Sequence, residues 1–145
     1  MPSKPENGIY KTFKAWVKRD GFLHVDEPIK FHRIESHSTE LGIPDIYFET
    51  RTITGWIEQK YIVWPKKWDT IIQPGWQPGQ LNWITKHNDF TNRKYSRAVL
   101  AVLDNFGMIR IFTGEGICHE YSQNYFKAMA YEVTNLRELL NALKS

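Results

Sequence analysis

The sequence predicts an α/β fold: one mixed β-sheet flanked by α-helices, in a single domain spanning residues 1–145. Three observations lead there. Segments of helical period open and close the chain, segments of strand period lie between them, and no Pro-, Gly- or Ser-rich linker or internal repeat divides it. A chain of 145 residues with 41% hydrophobic, 14% aromatic and 24% charged residues can bury a core, which argues against wholesale disorder. No apolar run reaches the roughly 20 residues of a membrane-spanning helix, and the start MPSKPENG has no apolar segment of signal-peptide type. The single cysteine, Cys118, excludes an internal disulfide framework and a Cys-based zinc site. These features lead to the expectation of a cytoplasmic protein with no membrane partner.

The opening residues, up to Pro5, are expected to fray. From Glu6 to Arg19, Ile9, Phe13, Trp16 and Val17 recur at helical spacing, and Gly21 is a stop signal. Phe22 to Phe31 alternates loosely and reads as a strand interrupted near Pro28. Ile43–Thr50 and Gly55–Val63 read as two strands joined by the polar stretch Arg51–Thr54. Pro65, Pro74, Gly75, Pro78 and Gly79 predict a long irregular connection over 64–79. Leu81, Ile84 and Thr85 start a helix that ends at Asn88 or Phe90. Ala98–Asp104 and Met108–Thr113 are strands around the hairpin signal Asn105-Phe106-Gly107. Helices over Gln123–Glu132 and Asn135–Leu143 are expected to close the chain.

Charge is unevenly distributed. Residues 31–60 hold three Lys/Arg against five Asp/Glu, a balance of −2, whereas 1–30 and 61–97 stand at +2 and +4. An acidic segment between basic ones suits a cation site flanked by a surface for a polyanion; ordinary scatter at a net charge of +3 is the plainer account.

The chemistry concentrates in the strand Gly55–Val63. Residues two apart share a face, so Trp56, Glu58, Lys60 and Ile62 point one way and Ile57, Gln59, Tyr61 and Val63 the other. A carboxylate and an ammonium inside an apolar strand cost desolvation energy unless they are paired. Asp45 ends a Gly-x-Pro-Asp turn at the head of the preceding strand, and antiparallel pairing of 46–49 with 56–60 would bring it near Glu58. Two carboxylates there would make a hard-oxygen site for Mg²⁺ or Mn²⁺, with Lys60 beside it to stabilise charge developing on a phosphoryl group. The plainer alternatives are a turn-capping Asp45 and a Glu58–Lys60 ion pair on a solvated face.

The blocks Arg33-Ile34-Glu35, Gly42-Ile43-Pro44-Asp45, Gly55-Trp56-Ile57-Glu58-Gln59-Lys60 and Gln80-x-x-Trp83 together resemble a known family. Pro-Asp followed by Glu-x-Lys is similar to the signature of the PD-(D/E)XK phosphodiesterases, whose fold is restriction-endonuclease-like. The four blocks look like the compact VRR-NUC nucleases, common in phages and related to archaeal-type Holliday junction resolvases. The resemblance implies a Mg²⁺-dependent DNA endonuclease, with Mn²⁺ as substitute, that hydrolyses backbone phosphodiesters structure-selectively in a host cytoplasm. It implies Asp45 and Glu58 as principal metal ligands, the main-chain carbonyl of Gln59 as a further one and Lys60 as the catalytic lysine. Gln80 would lie beside the active site, touching phosphate or holding the catalytic residues. An extra acid is either Glu6 or Glu35, and Glu35 is preferred because Glu6 lies near the terminus.

The chain departs from the pattern in two places. Gln59 stands where a small or apolar residue is usual, tolerable on a partly exposed face, and the loop Tyr61–Gly79 is long and rich in Trp. Arg33, Lys66, Lys67 and Lys86 are expected nucleic-acid contacts, although Arg33 and Glu35 could equally be a local ion pair. The lysines could join Trp64, Trp68, Trp76 and Trp83 in a stacking surface, although packing accounts for at least two of those tryptophans. A small domain that cuts both strands needs two sites, so a homodimer is expected. The rival reading is a non-catalytic nucleic-acid-binding or assembly module that keeps the nuclease fold.

Overall fold

The helical period at the start of the chain forms α1 (Asn7–Asp20), which buries Ile9, Phe13 and Trp16. In the computed structural model, which describes residues 4–20, 27–34 and 42–145, α1 is entered through a turn. The N–H groups of Asn7, Gly8 and Ile9 donate to the carbonyls of Lys4, Pro5 and Glu6 at 3.0–3.1 Å. The Lys4 and Pro5 carbonyls thus take two of the N–H groups at the helix entrance.

Six strands form one sheet in chain order: β1 (Ile29–Arg33), β2 (Ile46–Thr50), β3 (Thr54–Ile62), β4 (Ser96–Asp104), β5 (Ile109–Phe112) and β6 (Tyr131–Val133). All neighbours are antiparallel except β3 and β4, which run parallel. A parallel pair needs a crossover, supplied here by α2 (Gln80–Thr91). Beyond the β5 ladder, Asn88 of α2 pairs with the open edge of β4, accepting from Ala98 N–H at 2.8 Å and donating to its carbonyl at 2.9 Å. The β4–β5 hairpin turns at Gly107, whose φ of 87° is a left-handed value that glycine adopts without strain.

Helices cover both faces. On one, Ile57, Val99, Ala101 and Ile111 pack with Ile9 and Phe13 of α1 and with Leu136, Leu139 and Leu143 of α4 (Leu136–Lys144). Asn135 caps α4 by accepting from Glu138 N–H at 2.9 Å, while Glu138 accepts from Thr134 N–H at 2.8 Å. On the other face, Ile62, Leu100, Val102 and Phe112 pack with Ile72, Tyr121 and Phe126. Among the described residues no helix is long and apolar enough to cross a membrane.

One expected element is different. The helix expected over 123–132 stops as α3 (Gln123–Met129), and Tyr131–Val133 pairs with Ile109–Ile111 as β6. Ala130 is extended (ψ 141°), Val133 is buried, and Glu132 faces Arg110 across the ladder with an ion pair at 3.2 Å. Covering the open edge of β5 outweighs one more helical turn. The strand expected over 22–31 begins at Ile29; residues 21–26 lie outside the described residues, as do 35–41.

Candidate active site

The β2–β3 register pairs 46–49 with 54–57, not with the expected 56–60, because the strands pair right up to the short turn at 51–53. Asp45, just before β2, still stands beside Glu58, and both its charge and its N–H act on that carboxyl. On the other side, Ile34 N–H donates to the Asp45 carbonyl at 2.7 Å, which fixes the head of β2 against β1. The preceding turn is held by a backbone contact. Gly42 (φ 93°) approaches the start of α2 so closely that a Cβ there would lie 2.3 Å from the Gly79 carbonyl oxygen. The Pro-Asp turn and the helix carrying Gln80 are thereby locked together.

Beyond Ile57 the β2 ladder ends while β3 continues to Ile62, so Glu58, Gln59 and Lys60 are paired with β4 but not with β2. All three are nevertheless buried, at 1%, 2% and 7% exposure. Glu58 and Lys60 lie on the α2 face, with Lys60 Nζ 3.7 Å from Glu58 Oε1. The ammonium makes its hydrogen bonds elsewhere, to Gln80 Oε1 at 2.7 Å and to the Gly75 carbonyl at 3.0 Å. Gln80 Oε1 also accepts from Gln77 N–H at 2.8 Å, which orients it. Glu58 Oε2 is buried and has no hydrogen-bond partner among the described residues. Burial, then the neighbouring Asp45 charge, push Glu58 up to about 8, against the pull of Lys60. Burial also raises Asp45, opposed by the Gln59 main chain and the Lys60 charge.

Gln59 points the other way, beneath α1, where its Oε1 accepts from Tyr10 N–H at 3.1 Å. It is not on the partly exposed face expected for it, because α1 covers that side of the sheet. The amide serves one of the donors that a helix start leaves free.

These groups line a polar cleft of about 550 Å³ together with Lys4, Glu6, Arg33 and Gly75. Asp45, Glu58, Gln59, Lys60, Gln80 and Arg33 therefore converge. Lys66, Lys67 and Lys86 are exposed and do not line the cleft. Glu35 lies outside the described residues, whereas Glu6, the alternative acid, lines the cleft and its charge acts on Asp45. Trp64, Trp76 and Trp83 are half-buried, their rings against Phe126, the Lys60 ammonium and Trp56, while Trp68 is 85% exposed. Reading the sequence missed the Gly75 carbonyl and Lys4, and local residue pattern carries no signal for either.

Among the described residues no group of three or more His, Cys, Asp or Glu side chains could hold a metal ion. The Asp45–Glu58 pair still suits a hard divalent cation. Magnesium commonly takes one or two carboxylates and completes its shell with water and substrate oxygens, and Glu58 Oε2 offers a lone pair that no described residue uses.

One mixed sheet with helices on both faces thus carries a polar cleft with Asp45, Glu58 and Lys60 at the β2–β3 junction. No protein-family model matches the sequence, and no curated protein matches it. Among solved structures the chain is similar to the Holliday junction resolvase Hjc of the hyperthermophilic archaeon Archaeoglobus fulgidus, at TM-score 0.53 and 10% identity over 87% of this chain and 90% of that one. At that identity the likeness is one of fold, and it bears out the expected mixed sheet flanked by helices.

Proposed function

We propose that the protein is a metal-dependent DNA endonuclease, structure-selective in the manner of a Holliday junction resolvase and of the compact VRR-NUC type. The single observation that carries the reading is the convergence of Asp45, Glu58 and Lys60 in one polar cleft, on a fold shared with a resolvase.

Asp45 and Glu58 would hold Mg²⁺ or Mn²⁺, with the Gln59 main-chain carbonyl as a further donor. The bound ion would supply Lewis-acid polarisation of a phosphoryl oxygen and a lowered pKa for its water. Glu58 must give up its proton to serve as a ligand, so cation binding and proton release are linked. The Lys60 ammonium, held by Gln80 and Gly75, presents fixed positive charge to a phosphate whose negative charge grows during attack. Arg33 and Lys4 at the cleft supply cationic contacts for the flanking backbone. Lys66, Lys67 and the exposed Trp68 form an outer contact on the connection, and Lys86 another on α2. A homodimer would bring two such clefts to the two strands of a junction.

The test uses labelled four-way junction, duplex and single-stranded DNA with Mg²⁺, Mn²⁺ or chelator, beside Lys60→Ala. Metal-dependent cutting, reduced about 10²–10³-fold in the variant, is expected. Cutting that survives in Lys60→Ala overturns the role of the lysine. Binding without cutting on every substrate favours the second reading, a non-catalytic nucleic-acid module, for which the exposed Trp68 beside Lys66 and Lys67 is the specific observation.

A further inference from the structure

The connection between β3 and α2 departs most from the family pattern, and it reaches into the cleft at one point. Gly75 turns there with φ 82° and sends its carbonyl to Lys60 Nζ at 3.0 Å. The next residue, Trp76, sets its ring 5.7 Å from the same ammonium and ties its indole N–H to the Cys118 carbonyl at 2.9 Å. Further along, an isolated bridge joins Ile72 to Tyr121, and Gln123 Nε2 donates to the carbonyls of Lys67 and Thr70 at 2.8 and 3.0 Å. The connection is thus pinned to the segment around α3 at several places, and it meets the lysine at Gly75 and Trp76.

We propose that Gly75 and Trp76 are positioning residues that clamp the Lys60 ammonium. An ammonium has three N–H donors. Gln80 Oε1 and the Gly75 carbonyl take two of them in fixed directions, and the Trp76 face closes one side by cation–π attraction. The third N–H is left facing the Glu58 side, where Oε1 lies 3.7 Å away, too far for a hydrogen bond. A four-carbon side chain that would otherwise sample many rotamers thus reaches the cleft in one orientation, which is the condition for electrostatic help without reorganisation. The catalytic consequence rests on the nuclease reading; the clamp itself does not.

The experiment uses the full chain and two readouts. Gly75→Ala meets no atom within 4 Å, so its effect is confined to the left-handed backbone that aims the carbonyl. Trp76→Leu removes the ring, and Trp76→Phe keeps a π face while losing the indole N–H. Acetylation of Lys60 by an amine-reactive ester is followed by peptide mass spectrometry, with the exposed Lys66 and Lys67 as internal standards. Gly75→Ala and Trp76→Leu are expected to acetylate Lys60 about three- to tenfold faster, with Trp76→Phe near wild type. On a cleaved junction the same two variants are expected to lower kcat about tenfold at unchanged KM. Unchanged Lys60 reactivity in both variants overturns the clamp. Raised reactivity with unchanged kcat overturns its part in positioning for catalysis. Raised reactivity in a protein that cuts no substrate supports the clamp and removes the nuclease reading.

Discussion

Two buried acid–base pairs lie on the same face of the sheet and are built in opposite ways. At the end of β4, the Asp104 carboxylate accepts four hydrogen bonds. Arg110 Nη1 and Trp64 Nε1 reach Oδ2 at 2.6 and 2.8 Å, and the N–H groups of Phe106 and Met108 reach Oδ1 at 2.8 and 3.0 Å. Burial pushes Asp104 up, but these donors outweigh it and hold the carboxyl below its ordinary value. On β3, Glu58 is also buried but has far fewer donors, with the Asp45 N–H the one backbone donor that acts on it. Among the described residues its nearest cation stands 3.7 Å off and Oε2 has no partner, and the carboxyl is pushed up to about 8. An acid provided with all its donors is a structural member. An acid short of donors is pushed toward its protonated form, a perturbation that also marks functional sites.

The largest effect that can break this contrast is on Asp104. Asp104→Ala leaves Arg110 buried without its main partner and is expected to lower unfolding free energy by about 3–5 kcal/mol in urea titrations. A loss under about 1 kcal/mol would show that the pair is dispensable. A smaller effect of opposite sign belongs to Glu58. Its folded value lies above the ordinary 4.5, so the native state holds a proton that the unfolded chain releases between about 4.5 and 8. Stability of the cation-free protein therefore falls as pH rises through that window and levels off above it. Glu58→Gln removes the penalty and is expected to stabilise the cation-free protein by ~1–3 kcal/mol at pH 8.5, with the gain vanishing near pH 4.5. For Asp104 the sign reverses: its contribution is complete above the ordinary 3.8 and is lost as pH falls through the lower folded value. A urea series at pH 8.5 and pH 4.5 on both variants separates the two acids.

The difference between the two acids was half visible in the sequence. Asp45, Glu58 and Lys60 could be placed together because strand period is a local rule, although the register itself was not legible: 46–49 pairs with 54–57, closer to the turn than the expected 56–60. Nothing local distinguishes Asp104 from Glu58. Four donors from Trp64, Phe106, Met108 and Arg110 converge on the one through a hairpin and a distant loop, and the other has few because the β2 ladder ends beside it. The burial of Gln59 is illegible in the sequence for the same reason, since it depends on α1 crossing the sheet nearly fifty residues away in sequence. The strand β6 was hidden because three residues next to a helix carry too little period to compete with it, and only the uncovered edge of β5 selects the extended form.

The smallest predicted effect is the sharpest discriminator, because it depends on Glu58 being protonated before a cation binds. If Asp45 and Glu58 are the ligands, Mn²⁺ must displace about one proton below pH 8, so its affinity should rise about tenfold for each pH unit up to about 8 and flatten beyond. Calorimetry in buffers of different ionisation enthalpy reads that proton directly: the apparent heat should depend on the buffer at pH 7 and lose that dependence near pH 9. In Glu58→Gln the remaining affinity should be weaker and follow pH less steeply, leaving only the smaller upward push on Asp45. Asp104→Asn keeps the shape of its side chain and lies outside the cleft, so it should leave both affinity and proton release as in the native protein. Binding that is independent of both pH and buffer below pH 8 would mean that Glu58 is already ionised without a cation, and the contrast between the two acids would then be one of geometry alone.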